Sequence, residues 1–139
     1  MELTGRDFDL IPHGNVRVPV ATFARLWLAA EELYDRELTW SAFGVVMTCR
    51  WLATATVRSS DGRTYLAPAP ITRRSACAIA ETIEPEALAA AKLLDRRPVP
   101  TWLEERPGWL LAIHQTFEWA WYRSGNPPIE VPTPASTQG

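Results

Sequence analysis

The sequence predicts a mainly α fold, with about five helices packed around a central apolar helix at about 40–53, one β-hairpin at about 54–67 and a short N-terminal extended arm. Three observations carry that expectation. Helical-period apolar stripes run through 21–36 and 107–124, the run from Ser41 to Ala53 is apolar almost all round, and Asp61-Gly62 stands between β-branched and aromatic residues as a strong hairpin signal. With 139 residues, 47% of them hydrophobic, the chain suits a single globular domain over 1–125. The remainder, 126–139, is proline-rich and polar, which predicts an extended or disordered tail.

Taken in order, His13-Gly14-Asn15 reads as a turn, and Val16, Val18 and Val20 alternate as in a short strand that Pro19 would confine to an edge. The period then changes. Phe23, Leu26, Trp27, Ala30, Leu33 and Tyr34 fall on one face of an amphipathic helix from about Ala21 to Arg36. Thr39 or Ser41 can cap the next helix, whose polar positions, Ser41 and Thr48, form one narrow stripe. After the hairpin, the stretch 67–100 reads as two helices or one with a break: Thr72 is placed to cap the first part, with Ile79 and Ile83 inward, and Pro85 fits the first turn of the second, with Leu88, Ala91 and Leu94 inward. A short turn of helix is expected within 101–109. Pro107 can then start the last long helix, to about Ser124, with Leu110, Ile113, Phe117, Ala120 and Trp121 on its inner face.

The formal net charge is −2, so no global field draws the chain toward nucleic acid, an anionic membrane surface or a basic partner. Its basic residues are thirteen arginines and one lysine, Lys92, a bias that fits a GC-rich bacterial chromosome, a phage or a mobile element. The stretch 41–57 approaches membrane-spanning length, but Arg50 interrupts it, which predicts a buried helix and no membrane partner. MELTGRDFDLIP has neither the basic nor the apolar region of a secretory signal, so the cytoplasm is the expected location. There, Cys49 and Cys77 are expected as buried thiols rather than a disulfide. No metal or cofactor is expected, because His13, Cys49, Cys77 and His114 lack the short pairwise spacing of zinc ligands and Asp7 and Asp9 alone make a poor cation site. Neither a nucleophile elbow nor a glycine-rich phosphate loop occurs, which argues against an enzyme.

The functional expectation rests on tryptophan. Trp102, Trp109, Trp119 and Trp121 fall within twenty residues. Trp119 and Trp121 project about 200° apart around one helix axis, so at least one should be exposed or covered by something other than the main core. With arginines nearby, this is the composition of a protein-binding hot spot. The expected function is therefore a non-enzymatic adaptor, accessory or self-assembling subunit that binds a protein partner or a second copy through Trp109, Trp119, Trp121, Arg106 and Arg123. The internal alternative is that Pro127, Pro128 and Pro132 of the tail pack on the spare indole. The competing functional class is nucleic-acid binding of winged-helix type, with Arg58, Arg63, Arg73 and Arg74 of the hairpin region on phosphates. That motif needs two helices before its wing, the second exposed and polar, where this sequence offers one all-round apolar helix.

Arg50 lies on an apolar arc opposite the Ser41/Thr48 stripe. Burying it unpaired would be costly, so a structural ion pair is expected, with Glu118 as its assigned partner and Glu31 and Glu81 as the other carboxylates placed by pattern.

Overall fold

Helical periodicity decides the layout, and the structure, a computed structural model, describes residues 1–130. Among the described residues there are six α-helices and one antiparallel hairpin. They run α1 (Gly5–Asp9), a 3-10 turn (His13–Asn15), α2 (Val20–Glu37), α3 (Trp40–Leu52), β1 (Thr56–Arg58), β2 (Thr64–Leu66), α4 (Ala80–Asp95), α5 (Thr101–Glu104) and α6 (Trp109–Ala120). The mainly α expectation holds, with the hairpin as its minor β part.

Helix α3 is the centre of the molecule. It starts where expected, with the Thr39 hydroxyl accepting from the Ala42 amide at 3.1 Å, and it packs against α2 on one side and α6 on another, while α6 also packs against α4. Gly44 permits the α3–α6 approach, since a Cβ there would lie 2.5 Å from the Trp109 carbonyl oxygen and 3.1 Å from the Ala112 Cβ. The two threonine hydroxyls buried in these helices cost little, because Thr48 donates to the Gly44 carbonyl at 2.9 Å and Thr116 to the Ala112 carbonyl at 2.7 Å.

The buried charge on α3 is paired, with a different partner from the one assigned by pattern. Arg50 grips Glu31 of α2 with two parallel bonds, Nε to Oε2 at 2.8 Å and Nη2 to Oε1 at 2.8 Å. The Trp27 indole also donates to Oε2 at 3.0 Å, and the Met1 amino group stands 3.4 Å from Oε1. Glu118 instead lies 3.5 Å from His114, one turn away on its own helix. The reason is connectivity: the short link Leu38-Thr39 folds α3 back along α2 and brings Glu31 within reach.

Other expectations are corrected at the edges. The N-terminal arm is partly helical, and its extended part, Val16 to Val18, joins no sheet; the Arg17 amide donates to the Ala120 carbonyl at 2.7 Å at the end of α6. Pro19 stands before α2 as its cap residue rather than on a strand edge. Buried Asn15 clamps this segment by donating to the Leu52 and Ala78 carbonyls, each at 2.8 Å. No helix begins at Thr72; one helix spans Ala80–Asp95 with Pro85 in its interior. Its inner face is Ile83, Glu86, Ala87 and Ala90, while Ile79 and Leu88 are exposed. The rotation follows from Glu86, whose carboxylate is needed inside. Cys77 is exposed, not buried, and both cysteines are free. Helix α6 starts at Trp109, after Gly108 at φ 82°, later than Pro107.

Two stability outcomes are expected. Arg50→Ala leaves Glu31 buried without its main counter-charge and should cost about 3–5 kcal/mol in urea unfolding, whereas Arg50→Met with Glu31→Leu should recover most of it. Gly44→Ala should cost about 1–3 kcal/mol by forcing α3 and α6 apart.

Candidate functional site

The structure places Trp109, Trp119 and Trp121 inside, at 2%, 7% and 3% exposure. They do not form an exposed hot spot, which corrects the sequence expectation. Helix α6 has α3 and α4 as neighbours, so indoles on different sides of it are both covered. Over Trp121 the Arg17 guanidinium stacks 4.1 Å from the ring centroid, and the indole donates to Glu84 of α4 at 3.1 Å. Tyr122 donates to the other oxygen of Glu84 at 2.9 Å. Pro127 is exposed, Pro132 lies outside the described residues, and exposed Arg123 stands in the left-handed region at φ 55°.

Of the proposed partner-binding set, Arg106 is the residue that reaches the surface in aromatic company. Its guanidinium carbon lies 5.2, 5.3 and 5.0 Å from the ring centroids of Trp40, Trp102 and Trp109. Trp109 is the floor of this cluster, packed edge-on to Trp102 at 6.2 Å with its indole N–H toward the Met47 sulfur at 3.3 Å. Trp40 and Trp102 remain open, at 38% and 44% exposure. Trp40 continues edge-on into Phe43 at 6.0 Å, which stacks on Tyr34 at 5.1 Å. Beside them is Leu38, 72% exposed and held at φ 50°, where its amide ends α2 on the Tyr34 carbonyl at 2.9 Å. Sequence reasoning missed Trp40 and Leu38. A signal existed: Trp40 is the first residue of its helix, where no preceding turn covers a side chain.

A second feature lies where α3 meets the hairpin. Strand register pairs Val57 with Tyr65 and sends both toward α3, while Thr56, Arg58, Thr64 and Leu66 take the other face. Phe43, Met47 and Arg50 of α3, Val57 and Tyr65, and Arg73 from the following loop enclose a cleft of about 80 Å³. The loop is fixed from below by Glu86, which accepts the amides of Ile71 and Thr72 and, at 2.9 Å, the Thr72 hydroxyl. The Arg73 amide closes on the Ala69 carbonyl at 3.0 Å, and the Ala69 amide on the Arg74 carbonyl at 3.0 Å. Arg73 stands at φ 63°.

The four hairpin-region arginines therefore do not make one phosphate-facing row. Arg73 lines the cleft, whereas exposed Arg63 stands 3.6 Å from Asp61 of its own turn. The helix before the hairpin is α3, buried around most of its circumference, so α3 is not presented to a groove as the second helix of a winged-helix motif would be. Asp7 is committed to the Thr4 amide at 2.7 Å, in the cap of α1. Among the described residues, no three of His, Cys, Asp and Glu gather as metal ligands would, and no helix is long and apolar enough to cross a membrane. Comparison with protein families, curated proteins and solved structures gives no match.

Burial pushes the Cys49 thiol well above its usual range; the Glu31 charge adds to this and the Arg50 charge opposes it. A thiolate is thus withheld from Cys49 at neutral pH, and a disulfide-based thiol reagent should modify Cys77 rapidly and Cys49 only on unfolding, as read by mass spectrometry.

Proposed function

We propose that this chain is a non-enzymatic cytoplasmic protein that acts by binding another protein chain, through the surface formed by Leu38, Trp40, Trp102 and Arg106. The observation that carries the reading is the company these residues keep. An exposed leucine in a left-handed backbone conformation stands next to half-open Trp40, and Trp40 shares with half-open Trp102 a guanidinium clasped among three rings. The left-handed, exposed leucine is locally unfavourable in an isolated chain, and departures of that kind collect where a protein meets a partner. Tryptophan and arginine are also the side chains that contribute most when an interface closes over them. Two free cysteines, one of them exposed, suit a reducing compartment.

A second reading is phosphate binding by Arg58, Arg63 and Arg74, and what favours it is that all three are exposed. It requires binding that falls steeply with salt.

The two are separated by one set of variants. With folding checked by circular dichroism, Trp40→Ala/Trp102→Ala should lower quantitative capture of a specific protein partner, or sedimentation-detected self-association, at least tenfold. Arg58→Gln/Arg63→Gln should leave both unchanged. Equal capture and association by the tryptophan variant overturns the protein-binding reading, and salt-sensitive binding to nucleic acid abolished by the arginine variant supports the other.

A further inference from the structure

Arg50 is only half used by its ion pair. A guanidinium has five N–H donors, and Glu31 takes Nε and one Nη2 hydrogen along a single edge. The opposite edge, Nη1 with the second Nη2 hydrogen, has no acceptor among the described residues. It is not sealed away either, since among the described residues no fully buried side-chain nitrogen or oxygen lacks a partner. Arg50 lines the cleft beside α3 with that edge unclaimed.

Across the cleft stands Arg73, and no acidic residue belongs to the lining. Glu31 neutralises Arg50, but Arg73 makes no ion pair among the described residues, so the cleft carries net positive charge. Its remaining walls are apolar or aromatic: Phe43, Met47, Val57 and Tyr65. The conformation of Arg73 sharpens the point. A non-glycine residue at φ 63° is disfavoured, yet this loop is locked in place by the Glu86 carboxylate and by the Ala69–Arg73 and Ala69–Arg74 backbone bonds. The chain holds a strained arginine over the cleft where a glycine would fit the backbone better.

We propose that this cleft binds a carboxylate carried on a short apolar stem, with the carboxyl group held between the free edge of Arg50 and the Arg73 guanidinium and the stem against Phe43, Met47 and Val57. Two planar forks facing one site suit the two oxygens of a carboxylate. Its volume of about 80 Å³ is far below the roughly 300–1,000 Å³ of pockets for drug-sized ligands, which favours a group of few carbons within the cleft. The same chemistry is offered by a free short-chain acid and by the C-terminal leucine or valine of a peptide. The inference does not rest on the Trp40/Trp102 surface, with which the cleft shares only Phe43.

The test uses the full chain and NMR titration at constant ionic strength with isovalerate, with its neutral amide isovaleramide, and with acetyl-Gly-Gly-Leu as free acid and as C-terminal amide. Saturable shifts at Phe43, Val57, Tyr65 and Arg73 are expected with the acids and not with the amides. A peptide acid at least tenfold tighter than isovalerate assigns the site to chain termini, and equal or weaker binding assigns it to free acids. Arg73→Gly should hold or raise the melting temperature, because it relieves the backbone, while weakening acid binding at least tenfold. Arg73→Gln should weaken it similarly in a folded protein. No saturable shift with either acid, an equal response to the amides, or unchanged affinity in both Arg73 variants overturns the proposal.

Discussion

The carboxylate of Glu31 is the constraint on which the arrangement of this fold depends. A charge that is almost wholly buried must have its lone pairs occupied, and here four donors converge on two oxygens: two from Arg50, the Trp27 indole and the Met1 amino group. Meeting that demand sets the rotation of α2 against α3 and draws the first residues of the chain onto α2. Once α3 is fixed, Gly44 lets α6 approach to backbone distance, and the hairpin leaves the end of α3 in one direction.

Glu86 solves a similar problem with a different outcome. Where Glu31 holds an arginine directly, Glu86 holds the backbone and hydroxyl of a loop that delivers one. Buried carboxylates on α2 and α4 thus position Arg50 and Arg73 on two walls of the same cleft. Neither carboxylate touches the cavity, so the charges that could meet a ligand are cationic while the charges that shape it stay behind them.

The sequence made elements legible where one period dominated. The Phe23–Tyr34 stripe located α2 to within a residue or two, the Thr39 cap located α3, and Asp61-Gly62 located the hairpin, because each is decided by neighbours in the chain. That Arg50 needed a carboxylate was equally legible, since it follows from the cost of burying a charge. Which carboxylate was not, because Glu31 and Glu118 satisfy the same pattern and only the packing of α3 on α2 separates them. The face of α4 was misread for a related reason: a hydrophobic stripe counted from Leu88, Ala91 and Leu94 assigns Glu86 to solvent, yet Ile83, Ala87 and Ala90 flank it on the buried side. The tryptophans show the limit most clearly. Trp119 and Trp121 do leave their helix in different directions, but that geometry yields exposure only when the helix has one neighbour, and α6 has more. Trp40, which is exposed, stood in the stretch read as core.

The Asn15 clamp and the Arg17 bond to Ala120 bear on the order in which the molecule is made. Asn15 reads carbonyls at Leu52 and Ala78, and Arg17 joins the last turn of α6, so this segment finds its final acceptors only after α6 has been synthesised. During translation, which delivers the chain from its N-terminus, α2 and α3 can dock as a hairpin of helices as soon as they leave the ribosome. The segment ahead of them must wait, and it closes like a belt, with Asn15 fastened once Ala78 is in place and Arg17 once α6 has formed.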